Sequence, residues 1–151
     1  MSRAQIKEGI YGTLLAQNAL LSLLGPVSEA NLRIYNGWPQ VQPQLTGVEP
    51  DEGWLIFYEE QTVTPRDLIY EDVYMDFHCY VTRLSLGEDC VDILDSLWNW
   101  RIAGQNSLSY GERIVIYSKR IHLLETFDQE IKMYRKIARF LMRMVKTPFT
   151  G

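Results

Sequence analysis

Apolar and polar residues alternate most regularly between Ile69 and Thr82. The odd positions read Ile69, Glu71, Val73, Met75, Phe77, Cys79 and Val81, and the even ones Tyr70, Asp72, Tyr74, Asp76, His78, Tyr80 and Thr82. A period of two over that length predicts a strand with one face on the core and a second face that is polar but aromatic. Upstream, Trp54 to Glu60 is rich in aromatic and branched residues and predicts another strand. Thr62 to Asp67 carries Pro65 between the two, so an antiparallel hairpin is expected. Leu32 to Asn36 predicts a short strand stopped by Gly37, and Arg113 to Leu124 a later one.

Helical spacing governs two other stretches. Ile6, Ile10 and Leu14 recur every fourth residue after Ser2-Arg-Ala-Gln5, which has the form of a capping box, and predict a helix from about 4 to 18. Gly9 and Gly12 weaken that helix by about 1 kcal/mol each unless another segment packs closely there. Ala19 to Leu24 adds a further turn or two before Gly25-Pro26. Cys90, Ile93, Leu94 and Leu97 follow a second box, Ser85-Leu-Gly-Glu88, and predict a helix over 86–102 whose other side, with Glu88, Asp92, Asp95 and Asn99, faces water. The closing stretch, 131–146, has two readings. Ile131, Tyr134, Ala138, Leu141 and Val145 suit an amphipathic helix, whereas a strand would put Ile131, Met133, Ile137, Leu141 and Val145 on one face with Arg135, Arg139 and Arg143.

Charge divides by position along the chain. Residues 49–72 hold Glu49, Asp51, Glu52, Glu59, Glu60, Asp67, Glu71 and Asp72 against Arg66 alone. Residues 130–146 hold Lys132, Arg135, Lys136, Arg139, Arg143 and Lys146 against Glu130. A subunit with one acidic and one basic region can dock head to tail on its own copies, so assembly is the first functional expectation. The candidate interface residues are Glu59, Glu60, Asp67, Glu71, Asp72, Arg135, Lys136, Arg139 and Arg143.

Composition narrows the remaining classes. With 151 residues, 46% hydrophobic and 23% charged, the chain fits one domain spanning 1–151. No apolar run reaches the roughly 20 residues that span a bilayer, and Met1 to Gln5 lacks a secretory pattern, so no membrane partner and synthesis in a cytoplasm are expected. Cys79 and Cys90 read as separate reduced thiols in the core. The basic closing stretch could track phosphates, but a pI of about 5.2 argues against a dedicated nucleic-acid binder.

Motifs for catalysis are missing: no phosphate loop, nucleophile elbow or paired metal-ligand spacing occurs, so neither enzyme nor cofactor is expected. The sharpest competing idea is a small metal-dependent nuclease built on Asp72, Asp76 and His78. Residues i and i+4 of a strand lie roughly 13 Å apart, too far for Asp72 and Asp76 to share an ion.

The order of elements resembles the tail-terminator or tail-completion proteins of tailed bacteriophages. The likeness rests on Arg33-Ile34-Tyr35 followed by Trp38-Pro39, the aromatic strand Trp54 to Glu60, the long return Ile69 to Thr82, the helix, and a last segment with Tyr134-Arg135 and Arg139-Phe140. It implies an α+β fold: an antiparallel sheet of four to five strands, with the N-terminal helix and the helix near 86–102 packed on one face. It also implies that 131–146 is a strand. The role it implies is a virion structural protein of the tail and neck, assembled in the host cytoplasm, that forms a sixfold ring capping the tail tube. Implied partners are further copies of the chain, the tail tube protein, a sheath where there is one, and neck or connector proteins, with DNA passing through without sequence-specific contact. A neck adaptor or stopper is the alternative within the same setting.

Overall fold

In a computed structural model, residues 2–25, 33–39, 52–63, 70–100, 108–110 and 113–146 are described. The N-terminal helix α1 spans Ser2–Leu15 and a short helix α2 spans Asn18–Leu24. Ile6, Ile10 and Leu14, the expected stripe, are all buried. Gly9 sits against the ring of Tyr110, so a side chain there would run into the ring, which explains a glycine inside a helix. Strand β1 (Ile34–Asn36) runs parallel to β2 (Gly53–Val63), which pairs antiparallel with β3 (Glu71–Val81). Helix α3 (Leu84–Trp98) follows, then β4 (Leu108–Tyr110), β5 (Arg113–Asp128) and β6 (Met133–Lys146).

The strands form one six-stranded sheet in the order β1-β2-β3-β6-β5-β4. It is therefore larger than the expected four to five strands and mixed rather than purely antiparallel. Strand β1 falls within the short strand expected at 32–36, but it pairs parallel; β4, three residues long, is the strand added at the other edge and carries too few positions to show a period. Helix α3 also departs from the expected bounds, ending at Trp98 with Arg83 at the N-cap position, so Ser85 lies inside the first turn rather than capping it. Among the described residues, no helix is long and apolar enough to cross a membrane.

One face of the sheet carries all three helices. Leu55, Phe57, Val73, Met75, Phe77, Phe140, Met142 and Met144 meet Ile10, Leu14, Leu20, Leu24, Leu94 and Trp98 in a single core. Phe77 stacks on Trp98 at 5.1 Å and meets Phe140 edge to face at 5.5 Å. The strand expectation for the closing segment holds. Ala138, Phe140, Met142 and Met144 enter this core at a spacing of two, and β6 is paired along both sides, to β3 and to β5. A helix would have turned Phe140 and Met142 away from Ala138 and Leu141.

Two polar anchors close the helical layer. The fully buried Arg33 donates to the Leu24 carbonyl at the end of α2 and lies 3.9 Å from the Glu52 carboxylate. Cys79 and Cys90, expected as separate thiols, are instead joined in a disulfide between β3 and α3. Both lie on core faces, and the reversal through 82 and 83 folds α3 back across the strand that carries Cys79.

Candidate subunit interface

The sheet face opposite the helices is built by the even residues of β3. In the β3–β6 register Asp72 faces Arg143, Asp76 faces Arg139 and Tyr80 faces Arg135. Cross-strand neighbours on one face stand close enough for direct pairing. Arg139 forks onto Asp76, Nε to Oδ1 at 2.7 Å and Nη2 to Oδ2 at 3.0 Å. Arg143 repeats the arrangement on Asp72 at 2.8 and 3.1 Å. Planar two-point contacts of this kind are the strong form of the ion pair. The hydrogen bonds to their carboxylates raise the pKa of both arginines against the opposing effect of burial.

His78 sits between these pairs and the next aromatic group. Its Nδ1 accepts from Arg135 Nε at 3.2 Å and lies 2.9 Å from Arg135 Nη2, while Nε2 lies 3.0 Å from the Tyr58 hydroxyl. Arginine only donates, so Nδ1 must carry a lone pair and Nε2 the proton. The neutral ring follows from its surroundings: burial, then the adjacent Arg135 charge, push its pKa down to about 4. Tyr58 continues the chain to the Asp76 carboxylate; burial, and then that carboxylate, raise the phenol's own pKa. Arg135, His78, Tyr58, Asp76 and Arg139 thus form one connected polar network.

Aromatic rings cover it. Trp38 stands edge-on to His78 at 5.0 Å, and Arg135 lies 5.9 Å from the Trp38 ring and 5.4 Å from Tyr80. Trp54 stacks on Tyr80 at 5.1 Å, and with Ile56 and Met133 they form a second apolar cluster. Farther along, the Arg143 guanidinium lies 4.1 Å from the Tyr70 ring. Trp38 is 55% exposed despite these contacts, and it caps a face otherwise held together by ion pairs.

Part of the charge segregation is taken up within one subunit: of the acids in 49–72, Asp72 faces Arg143 across β3 and β6 and Glu71 pairs with Arg113, while Asp76, beyond that run, holds Arg139. The candidate residues divide accordingly. Asp72, Arg135, Arg139 and Arg143 share the open face. Glu71 pairs with Arg113, and Lys136 points to the helix side, where it meets Glu125 and packs by Gly87. Glu59 accepts from Thr62 beside an irregularity in the β2–β3 register, and Glu60 is exposed at that irregularity. Asp67 lies outside the described residues, as does most of the hairpin turn that carries it.

The nuclease idea meets the same geometry. The Asp72 and Asp76 carboxylates each hold an arginine, and both nitrogens of His78 are engaged. Among the described residues, no group of three or more potential ligands gathers around a common point.

Sequence reasoning passed over Trp38, Tyr58 and Glu125. Period-two alignment of β6 against β3 would have paired the charges, but nothing in the local pattern marks Trp38 as the lid of His78. The expected strand 113–124 also stops short of the observed end of β5 at Asp128. Ile121, Leu123, Leu124 and Phe127 are exposed there at 44%, 40%, 47% and 39%. Strand β4 covers only Arg113, Ile114 and Val115, and Trp100 adds a single bridge at Ser118. From Lys119 onward the outer side of β5 has no strand beside it among the described residues.

No family model and no curated protein matches this chain. Among solved structures, it is similar to a chain of the virion of a native gene transfer agent particle, with a TM-score of 0.65 and 13% sequence identity. The match covers 95% of this chain and 97% of that one, so the likeness in fold extends from end to end.

Proposed function

We propose that this protein is a virion structural component, a tail terminator whose copies form a six-membered ring that caps the tail tube and joins it to the neck. The observation that carries the reading is the likeness in fold, over nearly the full length of both chains, to a component of a gene transfer agent virion. The element order of the sequence supports the same role independently. So does the open sheet face, whose charges are held in rigid pairs under aromatic rings, as suits a surface that is read by other proteins.

In this reading the work of the protein is geometric. Its ring ends growth of the tube by offering no further site for a tube subunit, and its opposite side receives the neck. The candidate residues Glu59, Glu60, Asp67, Glu71, Asp72, Arg135, Lys136, Arg139 and Arg143 remain the proposed contacts to copies or to tail partners. The test is to polymerise the cognate tail tube protein with and without this chain. Tubes capped at one end and limited in length are expected with it, and tubes unaffected in length and end structure would contradict the role.

A further inference from the structure

We infer that Arg135, flanked by Trp38 and Tyr80 on the open sheet face, receives an acidic side chain of another protein, gripping the carboxylate with its guanidinium while Trp38 packs on the apolar residue beside it. The inference rests on reading this face as one that other proteins recognise, and it names the point of recognition.

Arg135, Arg139 and Arg143 stand on the open face of β6, four residues apart. The strand opposite supplies Asp76 to Arg139 and Asp72 to Arg143, each through a two-point contact. Opposite Arg135 it supplies Tyr80, so the carboxylate that would continue the pattern is missing. On the other side β5 sets Thr126 against Arg135, and Asp128 beyond it accepts the backbone N–H groups of Glu130 and Ile131. Among the described residues Arg135 therefore has no carboxylate partner. Its Nε and Nη2 instead converge on the single lone pair of His78 Nδ1, in a ring whose pKa of about 4 leaves it uncharged at neutral pH. Both N–H groups of Nη1 and the second of Nη2 are left over, on a side chain that is only partly buried. Two parallel donors of this kind are what a carboxylate takes.

Two observations favour a protein carboxylate over a nucleic-acid phosphate. A phosphate chain is held by a run of unpaired cations, whereas the next two arginines are already neutralised by Asp76 and Asp72. Trp38, 55% exposed, is held against His78 at 5.0 Å and Tyr58 at 6.1 Å, with the Arg135 guanidinium 5.9 Å from its ring. Tryptophan, tyrosine and arginine together are the residues in which binding energy concentrates at protein interfaces.

The test titrates the full chain with a capped tripeptide carrying glutamate between two leucines, and with its glutamine counterpart, at neutral pH and constant ionic strength. The Arg135 Nε–H and Trp38 indole N–H signals are followed by NMR. The glutamate peptide is expected to shift both saturably and to bind about tenfold more tightly than the glutamine peptide. Arg135→Gln should abolish that preference, and Trp38→Ala should weaken both peptides. Arg135→Lys, which keeps the charge without the fork, should retain only part of the preference and serves if Arg135→Gln disturbs folding. Peptides that bind equally or not at all overturn the inference, as does a preference that survives Arg135→Gln or binding unchanged in Trp38→Ala. A single-stranded oligonucleotide that shifts the same signals at lower concentration overturns it in favour of a phosphate site. Self-association lost in Arg135→Gln, read by sedimentation, overturns it in favour of a second copy. The terminator reading fails separately, when tubes grow to the same length with and without the chain.

Discussion

At the scale of single residues, the open face is governed by how thoroughly its charges are paired. Asp76 is 3% exposed and has Arg139 as its ion partner, whereas Asp72 is less buried in its pair with Arg143. Removing one partner of a buried pair leaves the other charged and dehydrated. Arg139→Ala is therefore expected to lower stability by about 3 kcal/mol and Arg143→Ala by clearly less, measured as shifts in urea midpoint at constant slope. Equal losses would contradict the ranking. His78 yields a second expectation. Its pKa lies near 4 in the folded chain against an ordinary 6.5, so the unfolded chain takes up the proton first as pH falls. The neutral ring's stabilisation is complete above pH 6.5 and is lost progressively down to about pH 4. The full difference amounts to at most about 3 kcal/mol. Unfolding free energies of wild type and His78→Gln should converge as pH falls from 7 to 4, and a gap independent of pH would sink this account. The ion pairs become legible only once β6 is laid beside β3, and nothing in the local sequence says that these two strands are neighbours.

At the scale of elements, much more could be read. The stripe Ile6, Ile10, Leu14 and the alternation of 69–82 each announced the face that is buried, since one period was sustained over several turns or pleats. The closing segment shows where that reasoning fails. Its local spacing suits a helix as well as a strand, and the choice is made by two neighbouring strands that satisfy its backbone on both sides. Strand β1 was foreseen from 32–36 without its parallel pairing, β4 was too short to show a period, and the disulfide depended on how α3 folds back over β3. Helix α1 offers a test of sign. Nothing stands within 4 Å of a side chain added at Gly12, so Gly12→Ala should stabilise by up to about 1 kcal/mol through helix propensity. Gly9→Ala should destabilise instead, because its methyl group meets Tyr110. Thermal unfolding of the two variants reads the difference, and a rise in midpoint for both would mean that α1 and β4 do not pack as described.

For the whole molecule, folding takes up part of the charge separated along the sequence, since the sheet sets Asp72 and Asp76 of β3 against Arg143 and Arg139 of β6. The exposed end of β2 and the exposed apolar half of β5 lie at opposite sides of the sheet, and a charge run read without topology could not reveal that. The proposed ring sets an expectation for salt: if surface charges steer assembly, raising ionic strength should slow ring formation more than it alters the final ring, measured by light scattering after dilution from denaturant. A rate insensitive to salt would remove the electrostatic part. The most direct measurement is electron-microscopic class averaging of the purified protein at high concentration. The account predicts closed rings with sixfold symmetry. A field of isolated single subunits, or open filaments with no closed member, would contradict it.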